Sequence, residues 1–536
     1  MKRKLMLSFV FALIAPLVFA QSNELPVADG PFKATDESLA QYQCPEWFRD
    51  AKFGIWAHWG PVAAPGGFGG NWYARQMYVQ GSREYVHHVQ TYGHPSKFGY
   101  KDVIELWKAE KFDPDRLMDL YVKAGAKYFV SMGAHHDNFD LWNSKYHEWN
   151  AVNHGPKKDI VGLWRAAALK RGLRFGVSEH FARSYSWMQR SHGSDTNGPM
   201  ADVPYDGADP KFAGLYCPPD ADATGSYPTN PPVAWKQEWF NRMQDLVDSY
   251  QPDLLYSDGG IPFGTFGRSL LADFYNKNMK VHGGKLDAVY NIKKGRDCGD
   301  YVEGAAVQDE ENSVLAGVKD QPWQTDASIG TWFFVPDLEP RWRMSGPDVI
   351  VMLADIVAKN GNLLLNIPQR GDGTIDAEAE QVLADLAAWM QVNGEAIFAT
   401  RPWKIFGEGP ALTTKTRGIK RAADYTADDI RFTRSKDNAT LYALALGWPS
   451  DGKLTVKSLA STAGEIKTVS LLGHDGALDW TQTADGLVVR LPAQKPCKYV
   501  FALKVSGERL QPAPAPRAAA TPTVPNQVFV KVAGDK

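Results

Sequence analysis

From Ala51 to Pro368, short β-rich apolar runs alternate with stretches that repeat their apolar residues at helical spacing. The predicted strands are Phe53–Trp59, Ala126–Gly133, Leu173–His180, Asp253–Gly259, Ala288–Lys293 and Asn362–Pro368. Between and around them the pattern predicts helices over Asp113–Ala124, Ile160–Arg171, Val233–Tyr250, Ser269–Lys280, Pro347–Lys359 and Asp376–Phe398. The first has a clear start, with Asp113 at the cap, Pro114 at the first helical position and Gly125 just past the end. Gln251-Pro252 stops the third, because proline cannot continue a helix. Apolar strands alternating with helices imply a parallel sheet covered on both faces. The number of repeats over residues 30–405 predicts a (β/α)8-like barrel of the TIM type.

After that the period changes. Residues 410–505 carry short alternating runs at Ile430–Ser435, Thr440–Ala445, Lys453–Ser458, Thr468–Leu472, Leu487–Leu491 and Tyr499–Val505. Turn residues such as Trp448-Pro449-Ser450-Asp451-Gly452 separate them, which predicts a C-terminal antiparallel β-sandwich. The two ends stand apart from both units. Residues 1–20 join a basic start (Lys2, Arg3, Lys4) to an apolar run and small Ala20, the pattern of a signal peptide too short to span a membrane. The expected address is therefore periplasmic or extracellular. Residues 506–536 become rich in proline and alanine, as in an extended tail.

Composition narrows the function classes. The chain has 536 residues and a formal net charge of -2, so no broad basic field exists to hold nucleic acid or an acidic membrane surface. Four cysteines (Cys44, Cys217, Cys298, Cys497), none in a C-x-x-C pair, exclude a disulfide-built scaffold while leaving one bridge open. Of 18 tryptophans, eleven fall between Trp47 and Trp239, which concentrates aromatic faces in the first half of the barrel.

Active residues of such barrels project from the C-terminal ends of the strands, and four clusters lie there. Trp56-Ala57-His58-Trp59 offers an imidazole between indoles, suited either to a sugar with one polar and one apolar face or to a buried aromatic rim. His135-His136-Asp137-Asn138 offers two imidazoles for hydroxyls; neighbouring side chains diverge, so a metal would need a third ligand from elsewhere. Asp258 ends an apolar strand before Gly259-Gly260, either as a carboxylate at the mouth or as a cap of the next segment. Glu303 and Asp309-Glu310-Glu311 precede Trp323-Gln324-Thr325-Asp326, and acid runs of this kind are ordinarily solvated. A pair drawn from the last two clusters would suit glycoside cleavage, with one carboxylate as nucleophile and a second as acid and then base. An aromatic neighbour such as Trp323 would raise the acid's pKa.

In order, these motifs resemble those of the α-L-fucosidases, glycoside hydrolase family 29. Lys52–Gly60 is similar to K-F-G-(I/L)-F-x-H-W-G, His135–Phe139 to H-H-D-G-F, Asp159-Ile160-Val161 to R-D-I-V, Leu255–Gly259 to L-W-F-D-G and Asn360–Asn366 to N-G-N-L-L-L-N. The resemblance covers about residues 45–405 and implies a barrel followed by a β-sandwich, exo-hydrolysis of terminal α-L-fucose with retention, and no cofactor or metal. It implies Asp258 as nucleophile and Glu311 as acid/base, with Glu303 as the rival and Glu179 behind it. His58, Trp59, Trp72, His135, His136, Tyr256, Lys293 and Trp323 are the expected substrate-binding set. The partner implied is a fucosylated oligosaccharide or polysaccharide. Three departures bear on substrate choice. Asn71-Trp72-Tyr73 lacks the family's Glu, Lys293 stands for an Arg fork, and Ser178 stands for a Tyr. They leave open a related glycoside such as an L-galactoside, and a non-catalytic fucose-binding barrel is the alternative class.

Overall fold

The computed structural model describes residues 25–65, 72–221, 231–295, 299–412, 416–417 and 420–513. The expected signal peptide, Asn71, Cys298 and the chain from 514 onward lie outside them. Eight parallel strands close into a barrel in sequence order: β1 (Phe53–Ala57), β2 (Tyr128–Ala134), β3 (Arg174–Glu179), β4 (Leu254–Ser257), β5 (Val289–Lys293), β6 (Val307–Glu311), β7 (Trp323–Ser328) and β8 (Gly361–Asn366). β8 pairs with β1 through Phe53–Leu363 to Trp56–Asn366, which removes both sheet edges. Six of these strands coincide with the predicted runs. β6 and β7 do not, because their sequences VQDEE and WQTDAS are polar and yet mostly buried.

The helices form where the caps predict. Asp113 accepts from the backbone N of Arg116 before Pro114–Lys123, and Asp159 caps Ile160–Lys170 in the same way. Helix Val233–Tyr250 ends at Gln251, whose φ of 43° turns the chain into Pro252. Inside the barrel, Gly54 on β1 is required by packing, since a Cβ there would meet the Tyr128 ring at 2.3 Å.

A second unit begins at Arg401. Arg401–Glu408 pairs antiparallel with Ile430–Arg434 in a five-stranded sheet that also holds Thr440–Ala445, Ile466–Leu471 and Phe501–Gly507. This first strand lies before the expected boundary; Pro402 and a register shift between Pro402 and Gly407 break its alternation. A three-stranded sheet of Lys453–Val456, Asp479–Thr483 and Gly486–Arg490 covers it, with Phe432, Leu441, Val456, Leu487 and Leu503 in the shared core. The expected tail starts late. Glu508, Gln511 and Ala513 donate their backbone N–H groups to Glu465, Ala463 and Ser458, so these residues still belong to the sandwich. The two units share packing: Trp389 donates its indole N–H to the carbonyl of Val500. Cys44, Cys217 and Cys497 are free thiols. No helix among the described residues is long and apolar enough to cross a membrane.

Candidate active site

The C-terminal ends of the strands bring one cluster together. Asp258, just past β4, accepts at Oδ1 from Lys293 Nζ at 2.8 Å. Its Oδ2 faces Arg183 Nη1 at 3.4 Å, His180 Nδ1 at 3.4 Å and His136 Nε2 at 3.5 Å. Burial alone would raise its pKa, but the charges of Lys293 and Arg183 and the bond from His180 hold the carboxyl well below the usual range. Asp258 is therefore a stable anion, as a nucleophile must be.

Lys293, the last residue of β5, sits between carboxylates. Its Nζ lies 2.8 Å from Glu311 Oε2 and 3.4 Å from Asp326 as well as touching Asp258. Desolvation works against its charge, yet Asp258, Asp326 and Glu311 hold the ammonium protonated well above its usual pKa. Two contacts of 2.8 Å to one nitrogen cap the separation of Asp258 Oδ1 and Glu311 Oε2 at about 5.6 Å. Glu311 is the more open member, with 23% of its side chain exposed, and faces the mouth. Glu303 has 66% of its side chain exposed and its carboxylate faces Lys294 at 3.9 Å and Lys319 at 4.0 Å; among the described contacts none joins it to Asp258.

Strand parity explains which acids point inward. Asp309 and Glu311 share a face of β6, while Glu310 turns the other way to Gln308 and Ser313. Asp326 on β7 accepts from the Tyr256 hydroxyl at 3.0 Å, and Asp309 accepts from Gln324 at 2.8 Å. Burial and the charge of Asp326 push Asp309 well above the carboxylate range. Burial raises Asp326 too, against the pull of Lys293.

The histidines line the opposite wall. His58 and His135 stack edge to face at 4.9 Å, and the His58 Nδ1 and both His135 ring nitrogens are buried without a hydrogen-bond partner. Burial and the neighbouring imidazoles keep both well below their usual pKa, hence neutral. His136 is lowered to about 3 by burial and by Arg183; its Nδ1–H donates to the His180 carbonyl at 2.8 Å, so its Nε2 carries a lone pair. Lone pair and carboxylate oxygen then face each other at 3.5 Å, two acceptors side by side that a single donor group can approach. Two trios, His58–His135–His180 and His136–His180–Asp258, also place ligand atoms within 4.8 Å of one another, the spacing a metal ion would need.

Aromatic residues complete the walls. Trp332 and Phe333, in the loop after β7, pack on His58 at 5.4 and 4.7 Å. Trp72 meets Trp187 at 4.6 Å, and Trp187 meets His136 at 4.6 Å. Trp187 and Arg183 come from the long segment after β3. Asp195 fastens that segment by accepting from Tyr85 and Tyr205, and Asp206 does the same with Tyr78 and Tyr216. Tyr256 forms the floor, with its hydroxyl committed to Asp326 and its ring 5.1 Å from Trp56.

Two expected members fall elsewhere. Trp59 packs on Trp107 and Phe112 behind the rim and donates to the Arg370 carbonyl. Trp323 opens β7, at the end of the strand remote from the mouth. Its indole N–H donates to the Lys359 carbonyl and its ring lies where a Cβ on Gly361 would come within 2.7 Å. It is a barrel-wall residue and cannot tune the acid. Conversely, His180, Arg183 and Trp187 join the site although motif spacing assigns them no part, and Asp326 joins it from the acid cluster with no role assigned to it. The strand-end position of Ser178-Glu179-His180 is the one signal that pointed there.

Known proteins share the sequence family and the fold. The family described as Alpha-L-fucosidase matches residues 19–395, and its C-terminal domain family matches residues 423–506. The plasma alpha-L-fucosidase of Homo sapiens is 29% identical over 493 residues, spanning 89% of this chain and 92% of that protein. The tissue alpha-L-fucosidase of Mus musculus is 29% identical over 482 residues, 88% and 93% of the two chains. A Thermotoga maritima alpha-fucosidase, solved with a mechanism-based inhibitor, superposes with a TM-score of 0.68 at 27% identity, over 89% of this chain and all of that one. By motif order, barrel, sandwich and sequence match alike, the chain belongs to the α-L-fucosidase family of glycoside hydrolases.

Proposed function

We propose that this protein is an exported, exo-acting α-L-fucosidase that removes terminal α-L-fucose from glycans with retention of configuration. The observation that carries the stereochemistry is the shared Lys293 contact. Asp258 Oδ1 and Glu311 Oε2 lie at most about 5.6 Å apart, which supports the close carboxyl pair of retaining glycosidases, roughly 5–5.5 Å, over the ~6.5–9.5 Å pair of inverting ones. Asp258 attacks the anomeric carbon while Glu311 protonates the departing oxygen. Glu311 then takes a proton from water, which attacks the same carbon and releases Asp258. Lys293 serves both halves: it pairs with Asp258 while that residue is an anion, and with Glu311 once Asp258 is esterified.

The recognition set supports a neutral 6-deoxy sugar. His58, His135 and His136 present neutral ring nitrogens for hydroxyls, while Trp332 and Phe333 supply an apolar wall for a methyl group. Export rests on residues 1–20. Asp258→Gly should reduce hydrolysis of an aryl α-L-fucoside to below about a thousandth of wild type. Azide should then restore turnover and give the β-L-fucosyl azide. Retention of more than that thousandth without azide would remove Asp258 from the role.

A further inference from the structure

Ser178 replaces a tyrosine of the family pattern, and its hydroxyl lies on a line of hydrogen bonds that ends on Asp258. Trp56 Nε1 lies 3.2 Å from Ser178 Oγ, and an indole N–H can only donate. His180 Nε2 lies 3.3 Å from the same oxygen. The Ser178 hydroxyl accepts from Trp56 and keeps its own hydrogen to donate to the neighbouring Nε2. A carboxylate oxygen only accepts, so the ring nitrogen that faces Asp258 Oδ2 at 3.4 Å, Nδ1, carries the proton that bridges them, and in that tautomer Nε2 accepts from Ser178. With the proton on Nδ1, the contacts run in one direction, from indole to hydroxyl to imidazole to carboxylate.

The ring is also held mechanically. It lies parallel to Trp56, with centroids 5.6 Å apart and planes 19° apart, and Ser178 and His180 are both buried. The His180 backbone carbonyl accepts from His136 Nδ1, which leaves the His136 lone pair facing the same Asp258 oxygen. One residue therefore sets a donor on Asp258 with its ring and an acceptor beside it with its backbone.

We propose that His180 is a further catalytic residue, a fixed Nδ1–H donor that orients Asp258 for attack, and that Ser178 and Trp56 are positioning residues acting through it. The proposal rests on Asp258 being the nucleophile. A donor on the attacking carboxylate fixes its rotamer and keeps it ionised, so its loss lowers kcat and lets Asp258 take up a proton at higher pH. The backbone bond to His136 survives any side-chain replacement, so the ring's contribution can be isolated.

The test compares His180→Phe, which keeps a ring on Trp56 and removes both nitrogens, with His180→Asn, whose amide N–H can stand near the Nδ1 position. On an aryl α-L-fucoside, His180→Phe should lose about 10–100-fold in kcat with KM within about threefold, and the acid limb of kcat/KM should move to higher pH. His180→Asn should recover at least about a tenth of the wild-type rate and return the limb toward its original position. Ser178→Ala, a milder change, should lose about 3–10-fold with the limb displaced in the same direction, and it serves if the Phe variant does not fold. An activity within twofold of wild type for His180→Phe overturns the proposal. So does a loss with an unmoved limb that Asn does not relieve. Asp258→Gly runs beside them. If it is inactive and rescued by azide while the His180 variants behave as wild type, the relay alone fails. If it is active, the nucleophile assignment fails.

Discussion

Replacing Lys293 with Met removes the ammonium that touches Asp258, Glu311 and Asp326 together, and leaves the stem's volume nearly unchanged. At an effective dielectric constant of about 20, unit charges about 4 Å apart attract by about 4 kcal/mol. Desolvation of the ammonium, several kcal/mol, offsets much of the gain from the three contacts. If about a third of one pair's attraction survives as differential stabilisation of ionised Asp258, the loss is about 1.4 kcal/mol, which equals about one pH unit. The acid limb of kcat/KM should therefore rise by about one pH unit or more. Stability should fall as well, because breaking a buried pair from one side costs about 3–5 kcal/mol. The sign with pH follows from the carboxylates. Burial already holds Asp309 and Asp326 above their unfolded pKa values and loss of Lys293 raises them further, so they destabilise the variant at neutral pH, and the deficit shrinks on acidification as they take up protons. Denaturant unfolding at pH 5 and 7, with kcat/KM from pH 4 to 8, measures both. An unmoved limb, or a stability deficit that grows on acidification, would refute this reasoning.

Other expectations follow from the same geometry. Glu303→Gln should leave kcat within about twofold, whereas Glu311→Ala should lose most on poor leaving groups and regain turnover with azide; the reverse pattern would exchange the two roles. Trp187→Ala opens the wall against His136 and Trp72, and should cost about 3–5 kcal/mol of stability with a rise in KM. Trp323→Phe should lower stability by about 1–3 kcal/mol and leave KM and the pH profile unchanged, since the ring faces Gly361 and Lys359. Asp140→Ala leaves the buried Arg242 guanidinium, which also holds Asn138 at 2.7 Å, with the more exposed Glu238 at 3.5 Å as its carboxylate partner, so a loss of about 3 kcal/mol should come with reduced activity through the His135–His136 turn.

The barrel was legible wherever burial and apolarity coincide, as in β2 and β8. It was not legible in β6 and β7, where the interior holds Asp309, Gln324 and Asp326 and burial carries no hydrophobic signature. Strand parity would have corrected two assignments. Trp56 and His58 point inward, so Trp59 points to the outer layer; Gln324 and Asp326 point inward, so Trp323 does not. Asp258 and the histidines stood out because strand ends and motifs select the same residues. His180 and Arg183 did not, because their part depends on how β3 and the segment after it converge on Asp258, which no spacing along the chain records.

The central claim is that Asp258 forms the covalent bond to the sugar. Mass spectrometry of peptides from protein inactivated with 2-deoxy-2-fluoro-α-L-fucosyl fluoride reads this directly. The fluorofucosyl mass is expected on the peptide bearing Asp258 and on that residue. A label on Glu311, Asp326 or any other carboxylate would contradict it.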